Sequence, residues 1–139
     1  GFAADLTRTF SLGPADDPDY ERVWSLVQAA NHLGVAALRP GAKGRDVDAL
    51  VRDFIRDAGH GDHFGHGLGH GVGLDIHEHP RLSPTAGDAV LAAGNVVTIE
   101  PGVYLPDRFG VRIEDLVVVT DDGAEVLSAA PSIPSVAAR

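Results

Sequence analysis

The chain of 139 residues sets 11 Lys and Arg against 20 Asp and Glu, a formal charge of −9 that excludes the basic face needed by a nucleic-acid or anionic-membrane binder. With 44% apolar residues it can build one core but not two domains, and no apolar run approaches the roughly 18 residues of a membrane span. The lack of cysteine rules out disulfides, thiolate metal sites and cysteine nucleophiles.

Along residues 2–10, Phe2, Ala4, Leu6, Arg8 and Phe10 alternate with Ala3, Asp5, Thr7 and Thr9. That period predicts a half-buried strand with Asp5, Thr7 and Thr9 on one polar face. Asp16 and Asp17 before Pro18 read as a helix N-cap with proline at the first helical position, and Tyr20, Val23, Trp24, Val27 and Ala30 supply the apolar stripe. This helix should stop before Arg39-Pro40-Gly41. A second helix follows, because Val47, Leu50, Val51, Phe54 and Ile55 keep helical spacing and Gly59 stands where a C-terminal glycine belongs. Residues 129–139 read as a soft tail rich in Ala, Ser and Pro.

Six of the seven histidines (60, 63, 66, 70, 77 and 79) and seven glycines (59, 61, 65, 67, 69, 71 and 73) crowd one stretch of chain. Any one histidine taken alone is ordinarily structural; six together point to a site. His66 and His70 have the spacing of a helical zinc motif, yet the alternating glycines would each cost about 1 kcal/mol in a helix. A strand fits better, with one bare glycine face open to a neighbouring backbone or a substrate. Four strand residues span about 13 Å, so at most one of His66 and His70 belongs to a compact metal site. His77 reaches His70 only if the chain bends near Asp75.

Residues 95–119 read as two strands joined around Pro106-Asp107-Arg108. If the hairpin is symmetric about Asp107, with residues 105–109 as its loop, then Glu100 lies opposite Glu114, their Cβ atoms roughly 5 Å apart. Two like charges so placed require a proton or a cation between them. Thr98 and Arg112 share that face by parity. Asp5, His70, Glu100 and Glu114 then form an oxygen-rich set with one imidazole, suited to Mn²⁺, Co²⁺, Fe²⁺ or Zn²⁺. Carboxylates that bridge also suit two ions about 3.5 to 4 Å apart, which generate a nucleophile from water.

The blocks ADLTRTF at residues 4–10, HGLGHGVGLDIHEHP at 66–80, TIEPGVY at 98–104 and GVRIEDLVVV at 110–119 resemble, in order, the pita-bread metallopeptidases of the Xaa-Pro aminopeptidase and prolidase branch. The resemblance covers roughly residues 1–128 and implies an α+β fold. Only the C-terminal half of the catalytic domain is expected here, a curved antiparallel sheet covered by two helices, with residues 129–139 as its tail. It implies two divalent ions, Mn²⁺ foremost with Co²⁺ or Zn²⁺ as alternatives, held by Asp5, His70, Glu100 and Glu114. It further implies that His77 stabilises the oxyanion, that His66 contacts substrate, that Glu100 shuttles the proton and that Arg112 orients the neighbouring acids. The expected reaction is hydrolysis of the peptide bond preceding proline by a metal-bound hydroxide, on peptides with proline at the second position.

The family has a further aspartate ligand before the D-x-T-R block, which this chain does not contain. With Gly1 first and no methionine, a piece of a longer protein is therefore expected, inactive alone and homodimeric when complete. No secretory signal pattern is read, so the cytoplasm is the default compartment. Two other readings stay open: a catalytically silent binding module on the same scaffold, and a histidine-rich metal-storage segment.

Overall fold

The structure, a computed structural model, describes residues 1–137. Its helices are α1 (Tyr20–Ala37) and α2 (Gly44–Ile55), and its strands β1 (Ser11–Leu12), β2 (Gly69–Gly71), β3 (Glu78–Leu82), β4 (Val96–Ile99), β5 (Gly102–Leu105), β6 (Phe109–Arg112), β7 (Asp115–Val119), β8 (Ala124–Val126) and β9 (Ser135–Val136). A five-stranded antiparallel sheet runs β3-β2-β4-β7-β8, β5 and β6 form a hairpin, and β1 pairs with β9 in parallel. No helix among the described residues is long and apolar enough to cross a membrane.

One register governs residues 95–119. Val96 pairs with Val118 and Ile99 with Asp115, then Gly102 pairs with Arg112 and Leu105 with Phe109, so every pair is symmetric about Asp107 as the sequence predicts. The loop is tighter than expected: Leu105 and Phe109 are paired, and Asp107 takes the left-handed conformation (φ 57°). Parity then divides the segment. Val97, Ile99, Val103, Leu105, Val111, Ile113, Val117 and Val119 are buried and pack in one core with Val23, Val27, Val47, Val51 and Ile55 of the helices. The even-numbered residues are left to the opposite face.

Helix α1 buries its predicted stripe, but it begins at Tyr20, later than Asp16-Asp17-Pro18 suggests. Asp17 and Asp19 are instead taken by Arg108 from the hairpin loop, at 2.6 to 2.8 Å. In α2, Val47, Val51 and Ile55 are buried while Leu50 and Phe54 are 45% and 38% exposed. The expected stripe is therefore narrower, and the buried Asp48 takes part of its place. Gly59 closes this helical run at φ 88°.

Residues 2–10 do not form the predicted strand; only Thr7 bridges to Glu114. Phe2, Leu6 and Phe10 stay 84%, 46% and 51% exposed, so no buried apolar face supports a ladder there. The glycine-rich strand is likewise short, Gly69–Gly71, with a register shift after His70. Its bare face receives backbone: a Cβ at Gly69 would overlap the Thr98 carbonyl oxygen, and one at Gly71 that of His79.

The tail, expected to be soft, is tied down over its described part. Ala130 O accepts from Arg8, Pro134 O accepts from Ser11 N–H and the Tyr20 hydroxyl, and β9 pairs with β1. Residues 138–139 lie outside the described residues.

Where α2 crosses β3, a Cβ on Gly44 would overlap the Arg81 carbonyl oxygen. Gly44→Ala should therefore lose about 1–3 kcal/mol to overpacking despite alanine's better helix propensity, as urea unfolding would show.

Candidate metal centre

Three segments deliver the candidate ligands to the even face. Asp48 of α2 accepts the Leu68 N–H at 3.0 Å, and Arg52 holds the carbonyls of Phe64 and His66 at 2.9 and 2.8 Å. These bonds fix the approach to β2 and to His70. Glu100 N–H donates to Leu68 O at 2.8 Å, which places Glu100 beside that strand. Thr7 exchanges backbone bonds with Glu114, which brings the segment bearing Asp5 alongside.

His70 is the hub. Its Nδ1–H donates to Gly71 O at 3.0 Å, leaving Nε2 as the lone-pair atom. That Nε2 lies 3.3 Å from Glu100 Oε1 and 3.7 Å from Asp5 Oδ2. His70, Glu100 and Glu114 bring one ligand atom each within 4.8 Å of one another, and so do Asp5, His70 and His77. The chain does bend between the two histidines, and their rings meet edge-on at 4.4 Å.

Glu114 is 2% exposed. Burial pushes its pKa up, and the charges of Glu100 and Asp5 push the same way; the Thr7 hydroxyl, which donates to Glu114 Oε2, opposes them. Arg112 Nε donates to that hydroxyl at 3.1 Å, so Arg112 reaches Glu114 through Thr7. Thr98 Oγ1 donates to Glu100 at 3.1 Å. Three carboxylates with few donors around one imidazole lone pair is a donor set that fits divalent cations.

His66 is engaged at both nitrogens, donating from Nδ1 to Gly67 O at 2.8 Å and accepting at Nε2 from the Tyr104 hydroxyl at 2.7 Å. Tyr104, given no role from the sequence, lies between His66 and Arg112, and burial raises its pKa. Its even number, shared with Glu100 and Arg112, is the signal that could have found it. His66, His70, His77, Glu100 and Arg112 line one open cleft of about 440 Å³, together with His79 and Arg81.

The histidine run does not converge as a whole. His60 and His63 sit beyond α2, their Nδ1 atoms 3.2 Å apart, and His60 lies beside Arg22.

Residues 1–121 match the profile of metallopeptidase family M24. The chain belongs to that family. It is 43% identical over 127 residues to the Xaa-Pro dipeptidase of Pyrococcus furiosus, covering 91% of this chain and 36% of that protein. Two solved structures superpose closely. The Xaa-Pro dipeptidase from Bacillus anthracis gives a TM-score of 0.92 at 42% identity, covering 96% of this chain and 37% of that one. Dipeptidase PepE from Mycobacterium ulcerans gives 0.91 at 43%, covering 99% and 37%. The M24 chain described here thus spans little more than a third of the length of the curated relatives it matches, and its fold is the C-terminal half of the pita-bread architecture.

One substitution and one titration check these contacts. Tyr104→Phe removes the donor to His66 Nε2 and should cost about 1 kcal/mol in urea unfolding. Burial, then Arg22 and His63, hold the His60 pKa below its ordinary 6.5. Folded His60 binds fewer protons than unfolded His60, so its contribution to stability is complete above pH 6.5 and is lost as pH falls below 6.5 through the lower folded pKa. Its ring-proton NMR titration should show a midpoint below that of an exposed histidine.

Proposed function

We propose that the full-length protein is a metal-dependent Xaa-Pro peptidase, an aminopeptidase or dipeptidase that hydrolyses the bond preceding proline. The observation that carries this reading is the gathering of Asp5, Glu100 and Glu114 around the free Nε2 of His70, in an M24 chain with relatives named Xaa-Pro dipeptidase.

Asp5, His70, Glu100 and Glu114 would hold two divalent ions, Mn²⁺ foremost with Co²⁺ or Zn²⁺ as alternatives. When bound, such ions lower the pKa of water and polarise a carbonyl oxygen. The rest is work for this chain's own side chains. Glu100 accepts a proton from the attacking water and returns it to the leaving imide nitrogen, which has no hydrogen of its own. Thr98 Oγ1 holds the Glu100 carboxylate in place for that transfer. His77, exposed and set against the His70 ring, donates to the carbonyl oxygen as charge develops there. His66 and Arg112, joined through Tyr104, contact the substrate along the cleft. Arg112 also steadies Glu114 by way of Thr7.

The present residues alone should not turn over substrate, since the set lacks the further aspartate that the resemblance implies. The full-length protein with Mn²⁺ should release free amino acid from an Xaa-Pro dipeptide, and a chelator should abolish this. Glu100→Gln should lower kcat by roughly 10²- to 10⁴-fold. A full-length protein that binds the dipeptide without hydrolysing it, with Mn²⁺, Co²⁺ or Zn²⁺ supplied, would instead be a silent module, and the peptidase reading would be wrong.

A further inference from the structure

Helix α1 encloses one amide, Asn31, at 0% exposure. Its Nδ2 donates to Ile99 O at 3.1 Å and to Ile113 O at 3.4 Å. Its Oδ1 meets no hydrogen-bond partner among the described residues. An apolar side chain of the same size would avoid burying that oxygen, so the two donated bonds must do something a leucine could not.

The strand ladder shows what that is. The register symmetric about Asp107 sets Pro101 opposite Ile113 and Asn95 opposite Val119. Ile113 N–H donates to Pro101 O at 3.4 Å, which marks this as a hydrogen-bonded position of the ladder, where the opposite residue would ordinarily return an N–H. Pro101 has no N–H to return. Ile113 O therefore lacks its ladder donor, and Asn31 supplies one from the helix behind the sheet. The second N–H of the same amide reaches Ile99 O. Each carbonyl immediately precedes a candidate ligand, Glu114 and Glu100, at the step where both glutamate amides have turned to other partners, Thr7 O and Leu68 O.

We propose that Asn31 is a positioning residue of the metal centre: it replaces the bond that Pro101 cannot make, keeps the two strands together where they would part, and so sets the spacing of the Glu100 and Glu114 carboxylates. This deepens the peptidase reading and rests on its ligand assignment. It concerns the helix, which touches neither cleft nor substrate.

The test is Mn²⁺ affinity by titration calorimetry on the full-length protein, alongside thermal unfolding. Asn31→Leu should weaken Mn²⁺ binding roughly 10- to 100-fold, the range for partners that orient ligands from behind. Adding Pro101→Ala returns an N–H to the ladder and should recover most of that loss. Val27→Ala, buried one turn away on the same helix, should lower Tm and leave affinity unchanged. If Asn31→Leu does not fold, recovery of folded protein in the double variant reads the same bond. Wild-type affinity in Asn31→Leu, an equal loss in Val27→Ala, or no recovery in the double variant would overturn the proposal while leaving the peptidase reading intact. A wild-type protein that binds no Mn²⁺, Co²⁺ or Zn²⁺ would instead remove the ligand assignment beneath both.

Discussion

Glu100 and Glu114 come together because the strands on either side of them share a single register, and everything nearby is arranged around that confrontation. The register cannot slip by one residue without moving Val97, Ile99, Val103, Val111, Ile113 and Val117 out of the core at the same time. Two carboxylates brought this close on one face repel, and burial of Glu114 adds a desolvation cost to the repulsion. The core is thus what holds the acids in an arrangement that their own electrostatics oppose. The imidazole lone pair of His70 and the hydroxyls of Thr7 and Thr98 are what the same face offers in return.

The N-terminal segment shows how a ligand-bearing stretch is placed without a ladder of its own. Between residues 2 and 10 the backbone makes isolated bonds, to Gly73 and Glu114 and from Trp24 Nε1 to Thr9 O. The Arg8 guanidinium adds several more. It donates to Glu114 O at 2.7 Å, to Asp115 Oδ1 at 2.6 Å and to Ala130 O at 3.0 and 3.2 Å. Arg8 and Asp115 are both largely enclosed, so this pair is held more firmly than an exposed one. One planar donor therefore joins the segment bearing Asp5, the start of β7 and the strap of residues 128–136.

Much of this was legible in the sequence where it followed a period. The symmetric hairpin, the opposed acids, the alternating glycines and the α1 stripe each repeat at two or 3.6 residues, and a repeat can be counted. Asn31, Arg8 and Tyr104 follow no period. They act through scattered hydrogen bonds, most to residues 38 to 122 positions away, several of them to backbone carbonyls whose need for a donor shows only once the fold is known. The failed strand at residues 2–10 has the opposite cause: its alternation is real, but Phe2, Leu6 and Phe10 find no apolar surface among the described residues. Leu50 and Phe54 mislead in the same way, since helical spacing says which residues share a face but not how wide the buried face is.

The helices do more than cover the sheet, because each ends a short chain of bonds at a candidate ligand. From α2, Arg52 grips the Asp48 carboxylate at 2.8 Å, Asp48 accepts from Leu68 N–H, and Leu68 O accepts from Glu100 N–H. From α1, Asn31 reaches the carbonyls just before Glu100 and Glu114. Glu100 is thus held from both helices, and Glu114 from α1 on one side and Arg8 on the other. A buried ion pair such as Asp48 with Arg52 is weak evidence of stability taken alone, since desolvation offsets most of the attraction. Its position at the head of a relay gives it a different worth. A carboxylate that must meet a cation within a few tenths of an ångström needs a backbone with no freedom to drift, and fixed buried donors supply that where a proline has broken the ladder.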